Sequence, residues 1–175
     1  MIAETQRLTL RELQQDDADH FYELNNDPEV LKYTGDKAFK SIEEARDFLT
    51  NYSHYKENGY GRWAVIRKED HAFLGWCGLK LNEEGYVDIG FRIFRKYWGK
   101  GYATEAAQRS IELGFEKFGL REIIGRTANE NKGSFRVLEK VGMTFFKNDE
   151  CDGIENASYF KIEKAFTKRT FNILN

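Results

Sequence analysis

The sequence predicts an α+β fold, a single domain on a mixed, mostly antiparallel central sheet of about seven strands flanked by about four helices. Three observations predict it. Apolar residues alternate with period two in several short stretches and recur at helical spacing in others. Three strand patterns follow one another across residues 62–94, the last two joined by the hairpin-type Asn82-Glu83-Glu84-Gly85. A long helical stretch then separates strand patterns, which requires at least one crossover. The 175 residues fit one domain, 1–175, large enough for a core without covalent staples.

The elements follow in order. Arg7-Leu8-Thr9-Leu10-Arg11 alternates as a half-buried strand does. Asp16 and Asp17 precede a helical pattern carried by Ala18, Phe21, Tyr22 and Leu24, and the turn-like Asn25-Asn26-Asp27-Pro28 is expected to end it. Ser41-Ile42-Glu43-Glu44 fits a capping box that opens a second helix, with Ile42, Ala45, Phe48, Leu49, Tyr52 and Tyr55 on its apolar face. Strands are expected over 62–67, 72–81 and 86–94. A helix from about Gly101 to Phe118 buries Ala103, Ala106, Ala107, Ile111, Gly114, Phe115 and Phe118. A strand over 122–127 and a helix over 132–141, stopped by Gly142, come next. Two final strands, 143–146 and 158–164, flank a polar loop.

Composition narrows the function. Lys and Arg number 27 against 29 Asp and Glu, a net charge of −2, which disfavours a general nucleic-acid binder. Hydrophobic residues at 41% argue against disorder. No run approaches the ~20 apolar residues of a membrane span. Cys77 and Cys151 form no CxxC pair, and His20, His54 and His71 form no HExxH, so neither a metal site nor a disulfide framework is expected. The first residues lack the apolar core of a signal peptide. The expectation is a cytoplasmic protein, monomeric or homodimeric.

The most informative segment runs from Phe91 to Ala106. There a strand enters a glycine turn, Lys96-Tyr97-Trp98-Gly99-Lys100-Gly101, which opens the long helix. Gly99 and Gly101 permit positive φ and close approach of a ligand to the backbone. The free amides at the helix start favour an anion such as a pyrophosphate. Arg92, Arg95, Lys96 and Lys100 supply positive charge without an intervening acid. The segment is not a P-loop, which needs GxxxxGK followed by Ser or Thr. It also lacks the third glycine of the dinucleotide fingerprint, which disfavours a nucleotide-binding oxidoreductase. Alone, the turn could equally be an ordinary strand-to-helix connection with a solvated rim.

Downstream, Asn131-Lys132-Gly133-Ser134 opens a short helix that ends Glu139-Lys140-Val141-Gly142-Met143. The two segments together resemble the GNAT acyltransferase superfamily over about residues 5–164. Ser134 and Asp27-Pro28-Glu29-Val30 are most similar to its branch of ribosomal-protein N-terminal acetyltransferases. Lys96 stands where the family has Arg or Gln, Phe94 and Arg95 where many members have a proline, and Met143 where Phe is usual.

The resemblance implies a GNAT-like domain using acetyl-coenzyme A as acyl donor, with no metal. It places the pantetheine arm beside Phe91, Arg92 and Ile93. Lys96 and the segment Gly99, Lys100, Gly101, Tyr102, Ala103 and Thr104 would hold the pyrophosphate, and Asn131 would bond the pantetheine. Ser134 would serve the departing thiolate, and Asp88 would be the general base. Ser134 and Asn131 could instead only cap their helix. Glu83, Glu84 and the acids of loop 149–155 rival Asp88 as the base. Lys132, Arg136 and Lys140 share a helix face that could meet the 3′-phosphate or only solvent. Tyr97, Trp98 and Trp76 could line a groove or lie in the core. The implied acceptor is a primary amine, a protein N-terminus or a small amine of polyamine type. The alternative from another class is an acyl-coenzyme A-binding module without turnover.

Overall fold

The computed structural model describes residues 1–151 and 153–165. The chain folds as β1 (Ala3–Glu4), β2 (Leu8–Glu12), α1 (Ala18–Leu24), α2 (Pro28–Leu31), α3 (Ile42–Thr50), α4 (His54–Asn58), β3 (Arg62–Arg67), β4 (Phe73–Leu81) and β5 (Val87–Ile93). Then come α5 (Tyr102–Glu116), β6 (Glu122–Ala128), α6 (Lys132–Lys140), β7 (Thr144–Cys151) and β8 (Ile154–Glu163). The strands form one eight-stranded sheet in the order β1-β2-β3-β4-β5-β6-β8-β7. Every neighbouring pair is antiparallel except β5–β6, the parallel pair that α5 makes possible by crossing over between them. No helix among the described residues is long and apolar enough to cross a membrane.

Several elements depart from expectation, each for a local reason. The sheet gains a short first strand, where Ala3 and Glu4 pair with Leu10 and Thr9. Pro28 does not merely end α1. It occupies the first turn of α2, where its missing N–H costs nothing, and the Asp27 carboxylate accepts from the Glu29 amide at 3.0 Å. The second helix is broken in two. Ser41 caps α3 through the Glu44 amide at 3.1 Å, but the chain turns at residues 51–53 and restarts as α4. That turn lets the Tyr52 hydroxyl accept from the Arg62 amide at 2.8 Å, while the Tyr55 hydroxyl donates to the Arg62 carbonyl. The expected acidic loop 149–155 is the tip of a hairpin. β7 continues to Cys151 and β8 begins at Ile154, with Gly153 at φ 80° between them. Asp152, one of the acids of that loop, lies outside the described residues.

The sheet is covered on both faces. On one face α5 and α6 pack over Leu8, Leu10, Trp63, Val65, Cys77, Leu79, Ile89 and Ile123, all buried. Gly114 of α5 has to be small, because a Cβ there would sit 2.6 Å from Ile123 Cδ1. On the other face α1 and α3 bury Leu13, Phe21, Leu24, Ala45 and Leu49 against Ala64, Phe73 and Phe94. Burial of a leucine side chain contributes roughly 2 kcal/mol by transfer alone. Leu79, fully buried under α5, tests this core. Leu79→Ala is expected to lower the unfolding free energy by about 3 kcal/mol in urea denaturation, with the slope against urea unchanged.

Candidate active site

The parallel pair β5–β6 is short. It holds register only at Asp88↔Ile124 and Ile89↔Gly125. Beyond that point the strands part, leaving Gly90–Ile93 of β5 and Arg126–Ala128 of β6 on opposite sides of a wedge-shaped cleft. β5 keeps its other partner, with Cys77↔Phe91, Trp76↔Arg92 and Gly75↔Ile93 still paired. One edge of β5 therefore presents backbone N–H and C=O groups to the cleft, and an extended ligand with amide groups can satisfy them. The closed end is sealed toward α6, because a Cβ on Gly125 would lie 2.6 Å from Leu138 Cδ2 and 3.3 Å from Met143 Sδ.

The open end of the cleft leads to the glycine turn. Gly99 has φ 73° with open space where a Cβ would stand, and Gly101, at φ 80°, is the N-cap of α5. The first intrahelical bond runs from the Glu105 amide to the Gly101 carbonyl at 3.0 Å. The amides of Tyr102, Ala103 and Thr104 precede that ladder, and the positive end of the helix dipole lies beside them.

A tether that sequence reasoning missed fixes this turn. Arg7 donates to the Lys100 carbonyl at 3.0 Å, pairs with Glu105 at 2.6 Å and lies 4.5 Å over the Tyr102 ring. The Thr5 hydroxyl also donates to Glu105, at 2.5 Å. Burial pushes the Glu105 carboxyl upward, but these bonds outweigh it and hold the group below the usual carboxylate range. Ninety-eight residues separate Arg7 from Glu105, and no local signal joins them.

The basic run is less uniform than its sequence suggests. Arg92 turns away from the glycine turn to pair with Asp36 at 2.6 Å and with the Asn25 side chain, and Arg95 approaches Asp27 at 3.4 Å. The Lys96 and Lys100 side chains stay at the surface by the Tyr97 ring, 5.3 and 5.7 Å from its centre. Trp98 is 48% exposed and donates its indole N–H to the Ile93 carbonyl at 2.6 Å, so it marks the mouth of the cleft. Phe91 is half-buried against the α5-side core, where Ile93 is buried. Trp76 is half-buried on the other face, its ring 5.5 Å from the Arg62 guanidinium and 5.2 Å from that of Arg92.

On the β6 side, the Asn131 side chain accepts from the Ser134 amide at 3.1 Å and caps α6. The half-buried Ser134 keeps its hydroxyl without a protein hydrogen bond among the described residues. Lys132, Arg136 and Lys140 lie exposed on this helix, and Lys132 donates to the Asn129 carbonyl at 2.9 Å.

Asp88 sits at the closed end. It is 3% exposed, and both its oxygens are taken. Arg62 pairs with one, and Arg126 donates to the other at 2.7 Å. Burial pushes this carboxyl upward, yet the two guanidiniums outweigh it and hold it below the usual range. A carboxylate so engaged is a weak proton acceptor. Among its sequence rivals, Glu83 is exposed on the β4–β5 turn. Glu84 accepts from Arg126 at 3.3 Å and from the Tyr159 hydroxyl at 3.0 Å. Asp149 pairs with Lys147 at 2.9 Å, and Glu150 and Glu155 are exposed near the hairpin tip.

The open cleft, the unsatisfied β5 edge and the amides of the glycine turn fit an elongated anionic ligand with peptide-like bonds. The family described as acetyltransferase (GNAT) domain matches residues 7–144. An uncharacterized N-acetyltransferase, p20, of Bacillus licheniformis is 35% identical over 140 residues, 78% of this chain and 79% of its own. The solved structure of a GNAT-family acetyltransferase from Bacillus anthracis superposes with a TM-score of 0.76 at 31% identity, covering 91% of this chain and 96% of the other. The spermidine N-acetyltransferase of Vibrio cholerae, solved with CoA and spermine, shares the fold with a TM-score of 0.77 at 21% identity, covering 91% and 96%. With the matching domain spanning most of its length, this chain belongs to the GNAT family of acetyltransferases.

Proposed function

We propose that the protein transfers the acetyl group of acetyl-coenzyme A to a primary amine by direct attack within a ternary complex. The observation that carries this reading is the wedge between β5 and β6 opening onto the bare amides of residues 102–104. The donor supplies a thioester, already activated toward amines, so no covalent intermediate on the chain is required. The glycine turn, with Lys96 and Lys100, holds the pyrophosphate. The edges of Phe91 and Ile93 pair with the pantetheine arm, while Arg92, named with them in the resemblance, turns its backbone N–H and C=O to β4. Asn131 caps α6 and offers its remaining amide N–H to the arm. The Ser134 hydroxyl donates to the sulfur as negative charge develops there.

Asp88 takes a different part from that of a base. Its engagement with Arg62 and Arg126 supports a positioning role at the closed end of the cleft. Glu84 is the carboxylate that links this cluster to solvent, through Arg126 on one side and a partly exposed side chain on the other. A carboxylate in that position can relay a proton from the amine to water.

The acceptor is a protein N-terminus, as the similarity to the ribosomal-protein branch suggests. A small polyamine is the second reading, and the fold shared with an enzyme solved with spermine favours keeping it. The decisive measurement is thiol release from acetyl-coenzyme A with peptide N-termini and with spermidine, separately and in competition. Release with peptides, resisted by a large excess of spermidine, supports the first reading. Preferential use of spermidine supports the second, and binding without release supports a non-catalytic module.

Two substitutions test the site. Gly101→Glu puts a side chain at a positive-φ position and a negative charge at the helix N-terminus. Acetyl-coenzyme A affinity measured by calorimetry is expected to fall on the order of 100-fold, about 2.7 kcal/mol. Asp88 has a lowered folded-state pKa, so its ion pairs contribute stability fully above its unfolded pKa, roughly 3.9. That contribution is lost as pH falls through the folded value. Asp88→Asn is therefore expected to be about 2 kcal/mol less stable than wild type at pH 7. Urea melts repeated at decreasing pH should show this deficit shrinking below about pH 4.

A further inference from the structure

The side chains at the closed end of the cleft form a bar across it. Asp88 is the first of the two β5 residues in register with β6, and Arg126 is the second β6 residue past Ile124. Arg126 reaches back across the wedge to Asp88 at 2.7 Å and to Glu84 at 3.3 Å. From the other direction Arg62 crosses β4 to the same carboxylate, donating also to the Asp88 carbonyl at 3.0 Å. Its guanidinium lies flat against Gly90, where a Cβ would come within 2.6 Å of Arg62 Cζ. All three side chains are at most 15% exposed. On the opposite sheet face the same point is closed by Leu138 and Met143 over Gly125. The cleft thus ends in a wall made of ions on one face and packed apolar side chains on the other.

A ligand anchored at the glycine turn and paired along Ile93–Gly90 runs toward this wall. Four extended residues span roughly 13 Å, after which the arm meets Asp88 and Arg126. An acyl group carried on its end has little room left, and lengthening it would push methylenes into guanidinium and carboxylate groups that are desolvated only because they satisfy one another. Separating them exposes buried charge to hydrocarbon, a steep penalty for each added carbon pair.

We propose that the Arg62–Asp88–Arg126 bar is an end stop that restricts the enzyme to short acyl groups, with Arg126 as its movable member and the acyl-chain length as what it reads. The inference rests on the donor reading above and adds to it the class of acyl group accepted.

The test compares acetyl-, butyryl- and hexanoyl-coenzyme A on the full-length protein. The readouts are the ratio of dissociation constants by calorimetry and the ratio of kcat/KM with one fixed amine. Wild type is expected to prefer acetyl over butyryl at least tenfold in kcat/KM and to bind hexanoyl-coenzyme A more weakly than acetyl. Arg126→Ala removes the bar and leaves Asp88 its Arg62 partner. It should raise the butyryl-to-acetyl ratio about tenfold in both readouts, while Arg126→Lys, which still reaches Asp88, should restore most of the preference. If circular dichroism shows that Arg126→Ala does not fold, Asp88→Asn serves in its place with the same expected direction. A wild type that uses all three donors equally overturns the end stop. So does a folded variant whose ratios stay within twofold of wild type while acetyl transfer persists. If wild type neither binds acetyl-coenzyme A nor releases thiol, the donor reading falls instead, and the two failures are distinguishable.

Discussion

The structure depends on one short parallel pairing. Apart from the short β1–β2 pair, the antiparallel strands hold register over five to seven residues, whereas β5 and β6 pair at two positions and separate. A parallel pair closed by a helical crossover has its two strands ending at the same side of the sheet, beside the start of the crossover helix. In this chain that geometry puts the free edge of β5, the glycine turn and the N-terminus of α5 along one line. The ladder from β4 keeps β5 straight on its far side, so the opening does not cost the sheet its continuity.

What keeps the wedge from closing or slipping is electrostatic. Three charged side chains from β3, β5 and β6 meet where pairing stops, with a fourth, Glu84, behind them. Buried ion pairs seldom add much net stability, but removing one partner leaves an uncompensated charge. Such a cluster is better suited to fixing geometry than to strengthening the fold. It ties β5 to β6 at the apex, next to the point where their register ends. The same cluster lowers the basicity of the most buried carboxylate of the cleft, because two guanidiniums favour its charged form.

Much of this fold was legible because its elements carry strong periodic signals. The expected bounds of β3, 62–67, match those observed, because the apolar run Trp63–Ile66 is short and flanked by Arg62 and Arg67. α5 was read to within two residues because its alanines and Ile111 repeat at helical spacing. The two final strands were expected over 143–146 and 158–164 but run on toward each other as a hairpin, because edge strands tolerate charge that a central strand would not. The α3–α4 break was hidden by an unbroken apolar stripe. Tyr52 and Tyr55 fit that stripe, yet both serve as hydrogen-bonding posts for Arg62. At the site, the glycine turn was legible because it is local. The partners of Arg92 and Asp88 were not, because Asp36, Arg62 and Arg126 lie 56, 26 and 38 residues from them.

The Arg7 tether has a consequence for the order in which the molecule is made. The turn that precedes α5 accepts a hydrogen bond from Arg7, distant from it in sequence, and Glu105 takes partners from both Thr5 and Arg7. Contacts of such sequence separation form late, after the entropy of closing the intervening chain has been met. The α5 helix can therefore be present while its first turn is still loosely held. During synthesis Arg7 is made 98 residues before Glu105, so the tether of the glycine turn forms only once both segments have emerged. The geometry of the glycine turn thus rests on a contact between segments 98 residues apart.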